Sequence, residues 1–139
     1  MFFLTDVYDQ TVMKVRDIMY TRLFSIPFDA SAESAAKMME ENNVGALLVE
    51  KEGKKIGIVT EWDIVRRVTA AEKDPKEIIV DEIKSYPLIF VDSEFDIFEA
   101  AELMRKHDIR RLMVVHDGNI VGVISTSIIC HNLSSLAVR

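Results

Sequence analysis

The chain of 139 residues has one cysteine, three prolines, five glycines and one tryptophan, and its basic residues are outnumbered, 17 to 23, by acidic ones. Cys130 alone forms no internal disulfide, which leads us to expect a reducing, cytoplasmic setting. A net charge of -6 and a pI near 5.1 argue against nucleic acid or an anionic membrane as partner. The longest uninterrupted apolar stretches, such as Val44–Val49, are far short of the ~18 residues that a spanning helix needs. The opening MFFLTDVYDQ has no basic region and breaks at Asp6, so it does not read as a signal peptide. With 49% apolar and 29% charged residues, the composition is that of a globular protein. A chain of this size buries roughly 68% of its unfolded surface, enough for a core without metal or disulfide.

The chain repeats itself. Shifted by 65 residues, Val15–Ile64 falls on Val80–Ile129 without a gap, and eleven of the fifty pairs are identical. Among them are Val15/Val80, Leu23/Leu88, Ala35/Ala100, Met39/Met104, Leu47/Leu112, Gly53/Gly118 and Gly57/Gly122. Two copies of one supersecondary unit sharing a core are expected. Each copy reads as β-α-β-β-α. Short strands at Phe24–Pro27 and Leu88–Val91 lead into helices, with Ser31 as one N-cap and Ser93 and Asp96 at capping-box spacing in the other. The apolar faces are Ala35, Met38, Met39 and Ile97, Ala100, Ala101, Met104. Gly45–Val49 and Ile56–Val59 form a hairpin around Glu52-Gly53-Lys54, and Leu112–Val115 and Ile120–Ile124 one around Asp117-Gly118-Asn119. Closing helices run over Glu61–Ala71 and Thr126–Leu136. The copies span residues 14–71 and 78–139, joined by a linker at 72–77, and residues 1–13 lie outside the repeat.

The run Gly57-Ile58-Val59-Thr60-Glu61-Trp62-Asp63-Ile64 resembles the end of a CBS motif, the repeat named after cystathionine β-synthase. Val15-Arg16-Asp17-Ile18-Met19, the second copy from Val80 through Ile109-Arg110-Arg111-Leu112, and Gly122-Val123-Ile124-Ser125 resemble the same family, over residues 14 to 132. The resemblance implies an α/β (α+β) fold of two CBS motifs in pseudo-twofold arrangement, packed through their sheets as a Bateman module. Such modules commonly dimerise and bind adenosine-containing ligands in clefts between the motifs, so a homodimer and a regulated protein partner are expected.

The same resemblance places Asp63 at the ribose hydroxyls, Thr60 at the accompanying hydroxyl position, and Arg110 and Arg111 at the phosphates of AMP, ADP or ATP. The chemistry is apt: a carboxylate accepts hydrogen bonds from both hydroxyls of a vicinal diol, and guanidinium forks suit phosphate oxygens. Thr60-x-x-Asp63 is equally a helix capping box, and the arginines equally a solvated pair. The base pocket is expected between backbone near Thr21–Phe24 and apolar side chains such as Ile58. Ile128 stands where the second copy would need its carboxylate, although Ser125 keeps the hydroxyl, so one site per chain is expected. Leu48 and Met113 stand where the family often has proline. Arg66 and Arg67 read as an exposed face, and Cys130 as a small buried residue.

His107, His116 and Cys130-His131 lack metal-ligand spacing, and neither a nucleophile–base pair nor a Walker loop stands out. No enzyme, no metal and no required cofactor are expected. Three readings compete: an adenine-nucleotide sensor, a structural dimerisation module without ligand, and a binder of another adenosyl compound such as S-adenosylmethionine.

Overall fold

The computed structural model describes residues 13–86 and 88–137, with side chains as far as residue 133. Of the segment 1–13, only Met13 is among the described residues. The elements are α1 (Val15–Ile18), β1 (Ser25–Pro27), α2 (Ala32–Asn42), β2 (Ala46–Lys51), β3 (Lys54–Thr60) and α3 (Glu61–Ile64), the last continued by a π-turn (Val65–Thr69). Then follow α4 (Val80–Ile83), β4 (Phe90–Asp92), α5 (Ile97–His107), β5 (Arg111–His116), β6 (Asn119–Ser125) and α6 (Thr126–Ala137). The fold is mixed α/β with two three-stranded sheets, ordered β1-β2-β3 and β4-β5-β6. In each the first pair is parallel and the second antiparallel.

The hairpins are tighter than the sequence suggests. Glu52 and Gly53 take φ of +51° and +79°, and Asp117 and Gly118 take +49° and +79°, the pattern of two-residue type I′ turns. The strands therefore run up to the turn, to Lys51 and Lys54 in one copy and to His116 and Asn119 in the other. Both hairpins also carry a register shift at aligned positions, after Val49 and after Val114.

Helix α2 starts as expected, Ser31 Oγ accepting from Ser34 N at 3.0 Å, and ends on Asn43 in the left-handed region. Helix α5 departs from expectation. Asp96 itself is its N-cap, Oδ1 accepting from Phe98 N and Glu99 N at 2.8 and 2.9 Å. Asp96 aligns with Ser31 in the repeat, so its box partner is Glu99, and the Ser93 hydroxyl instead lies 3.2 Å from His116 Nδ1. Cys130 is exposed, which corrects the expectation of a buried thiol; the buried face of α6 nearest it is carried by Ile129.

The compact units do not coincide with the repeat copies. Among the described residues, 23–88 (Pro87 apart) form one unit, and 13–22 with 89–137 form the other. Each copy's opening segment thus packs with the sheet of the other copy. In the first unit, Val80 and Ile83 of α4 join Ile26, Ala35, Leu47, Val49, Val59 and Val68 in one core. In the second, Val15 of α1 joins Val91, Ile97, Met104, Leu112, Val114 and Ile124. Lys14 and Arg16 both donate to Glu94, and the Lys14 hydrogen bond, supported by the Arg16 charge and opposed by partial desolvation, holds that carboxyl below its usual range.

The repeat glycines make these packings possible. Ser85 and Ile58 exchange backbone hydrogen bonds, Ser85 N to Ile58 O at 2.8 Å and Ile58 N to Ser85 O at 3.1 Å. A Cβ on Gly57 would lie 2.7 Å from Lys84 Cδ and 2.9 Å from Ser85 O. Gly122 plays the same part for Tyr20, which pairs with Val123. The Lys84 stem can move aside but a paired carbonyl cannot, so Gly57→Ala is expected to cost about 1–3 kcal/mol. Urea midpoints of the two proteins check this, and equal midpoints would refute the close-approach argument.

Candidate functional site

Strand β3 ends at Thr60, whose extended backbone (φ -118°, ψ 164°) makes it the N-cap of α3. Its hydroxyl accepts from Asp63 N at 3.1 Å, and its own N–H donates to Asp63 Oδ2 at 2.9 Å. The capping box is therefore formed. Thr60 Oγ1 also donates to Oδ2, at 3.1 Å. The second carboxylate oxygen, Oδ1, accepts from Ser85 Oγ at 3.2 Å. Thr60 and Asp63 are 9% and 7% exposed, so this carboxylate is fixed in a largely dehydrated position. An ionised carboxylate has about four acceptor positions. Two of them, on Oδ2, are committed to the Thr60 N–H and hydroxyl, while Oδ1 accepts from the Ser85 hydroxyl and keeps a second acceptor position.

Ile58 lies two residues before Thr60, half-buried and paired with Ser85. The residues Ile58, Thr60, Asp63 and Ser85 thus form one cluster within the unit of residues 23–88. Sequence reading missed Ser85, because 22 residues separate it from Asp63 and no local motif marks it.

Thr21, Arg110 and Arg111 belong to the other unit. Thr21 is exposed, just after the Tyr20–Val123 pairing. Arg110 is exposed and its carbonyl accepts from Thr126 N at 3.0 Å, where α6 begins. Arg111 opens β5 opposite Ser125. Ser125 caps α6 as Thr60 caps α3, its Oγ accepting from Ile128 N at 3.1 Å. With Ile128 for Asp63 and Tyr20 for Ser85, this unit keeps the cap and lacks the carboxylate cluster.

Arg67 is more than part of an exposed face. Its Nη1 donates to the carbonyls of Ile83 and Lys84 at 3.0 and 3.3 Å, where α4 ends. Arg66 lies 6.0 Å from the centre of the Trp62 ring. Among the described residues no group of three or more His, Cys, Asp or Glu is placed to hold a metal ion, and no helix is long and apolar enough to cross a membrane.

Two tandem units built alike, each with a capped helix after a strand hairpin, have the architecture of a paired regulatory module. The CBS domain family model matches residues 15–70 and 80–135, and the chain belongs to that family as a CBS-domain pair. It is 33% identical over 111 residues to the CBS domain-containing protein YhcV of Bacillus subtilis, covering 80% of this chain and 79% of the relative. A hexameric CBS-CP12 protein from bloom-forming cyanobacteria superposes with a TM-score of 0.79 at 35% identity, covering 86% of this chain and 67% of that one. The CBS-domain pair of protein MJ0100, solved with 5′-methylthioadenosine and S-adenosyl-L-methionine, gives a TM-score of 0.73 at 25% identity, covering 88% of this chain and 97% of that one.

Proposed function

We propose that this CBS pair is a non-catalytic sensor of an adenine nucleotide, AMP, ADP or ATP, with Asp63 receiving the ribose diol and Arg110 and Arg111 the phosphates. The observation that carries the reading is the buried Asp63 carboxylate, held by Thr60 on one oxygen and meeting only the Ser85 hydroxyl, among the described residues, on the other. Thr60 fixes the carboxylate, Ile58 supplies apolar surface for the base, and Thr21 is the remaining expected contact. Binding regulates by favouring one of two conformations, since a ligand shifts only an equilibrium between states it distinguishes. In this reading the protein works in the cytoplasm as a homodimer that reports to a regulated partner. Trp62 and Val65, 44% and 47% exposed, offer apolar surface for such contacts.

The MJ0100 complex favours a second reading, in which the ligand is an adenosyl compound without phosphate. Calorimetric titration with AMP, ADP, ATP, S-adenosylmethionine and 2′-deoxy-AMP separates the two. The nucleotide reading predicts saturation near one AMP, ADP or ATP per chain, lost with the deoxy sugar and weakened by Arg110→Ala. Uptake of S-adenosylmethionine alone would transfer the site to the second reading, and silence with all five would leave a structural module in which Thr60 and Asp63 only cap a helix.

A further inference from the structure

The helix after Asp63 does not stay α-helical. Ala70 N donates to Val65 O at 2.8 Å and Lys73 N to Val68 O at 2.9 Å, each reaching back five residues. Val68 remains in the core of its unit, and within the same widened turn Arg67 reaches the last carbonyls of α4. Those carbonyls lack a further turn of helix to bond, which makes them strong acceptors for a guanidinium. The next residue along the chain is Ser85. Its N–H and C=O are paired with Ile58, its carbonyl is seated against Gly57, and its hydroxyl is delivered to Asp63 Oδ1.

The other copy provides an internal comparison. At a shift of 65 residues Arg67 becomes Asn132, whose Nδ2 bonds Ile128 O within its own helix, at 2.8 Å. There α6 is α-helical from Thr126 to Ala137, and Ser85 becomes Tyr20. The π-turn, the arginine, the serine and the carboxylate therefore occur together in one unit, and none of the four occurs in the other.

We propose that Arg67 is a positioning residue: by holding the end of α4 it sets the Ser85 hydroxyl on Asp63 and thereby tunes ligand affinity at that carboxylate. The affinity half of this inference rests on the proposed adenosyl site; the placement of Ser85 does not. Arg67 touches no ligand in this scheme and acts through residues 83–85.

The test compares wild type with Arg67→Met, Arg67→Lys, Ser85→Ala and the double variant Arg67→Met/Ser85→Ala. Amide hydrogen exchange on the free proteins reads the placement. Losing charge-assisted hydrogen bonds is expected to speed exchange at Ser85 and Ile58 by about tenfold in Arg67→Met, with Leu47 and Leu112 unchanged and with partial recovery in Arg67→Lys. Calorimetry with AMP and S-adenosylmethionine, using whichever the wild type takes up, reads the affinity. Arg67→Met should weaken it by about fivefold, and the same substitution should add nothing once Ser85 is alanine. Unchanged exchange at Ser85 overturns the placement, and additive losses in the double variant show that Arg67 does not act through Ser85. If the wild type takes up neither probe, the affinity half fails with the adenosyl reading, while exchange still decides the placement. Arg67→Gln, which keeps one amide donor, replaces Arg67→Met if that variant does not fold.

Discussion

Asp63→Asn is expected to lower nucleotide affinity by at least about 100-fold while leaving the protein folded, because the substitution separates two tasks of one carboxylate. Oδ2 serves the capping box through Thr60 N and Thr60 Oγ1, and a neutral amide oxygen can still accept from that N–H. The NH2 group then lies where Oδ1 was, a donor in place of the acceptor that a ribose diol requires. Asp63→Ala removes both functions, leaving the Thr60 N–H without its partner at a buried position. That variant should lose binding and, in addition, about 1–2 kcal/mol of stability. Calorimetry with AMP and a urea titration on the three proteins measure the two effects separately. An Asp63→Asn protein that binds as tightly as wild type would reduce Asp63 to a helix cap.

Leu47→Ala should be the most damaging of the stability variants considered. Leu47 is 1% exposed, lies opposite Val59 across the β2–β3 pair, and belongs to the same core as Val80 and Ile83 of the returning segment. Truncation removes three carbons from a site enclosed by strand, helix and returning chain, so the cavity has little freedom to collapse. A loss of about 2–5 kcal/mol is expected, read as a lower urea midpoint at unchanged slope. A loss below about 1 kcal/mol would mean that the surrounding elements close over the gap, contrary to the packing described.

Much of the fold was legible in the sequence because its causes are local. The pairs Glu52-Gly53 and Asp117-Gly118 favour the positive φ values of a tight hairpin, and the flanking apolar runs fix which strands they join. The faces Ala35/Met39 and Ala100/Met104 are spaced for a helix and are buried as that spacing predicts. Thr60-x-x-Asp63 was visible as a cap for the same reason, since its partners are three residues apart. The α5 cap was misplaced because Ser93 and Asp96 share that spacing, and spacing alone does not say which residue stands at the helix start.

The repeat, the strand–helix order of each copy and the carboxylate at the start of α3 are legible in the order of the residues alone. The three-dimensional packing adds that each opening segment lies with the other copy's sheet, that Ser85 reaches Asp63, and that Arg67, though exposed, bonds the end of α4. The division has a physical cause. Turn and helix preferences act over a few residues, whereas these contacts join residues 16 to 80 positions apart. They form only where the returning chain buries Val80 and Ile83 and finds, at Gly57, a strand without a side chain in its way.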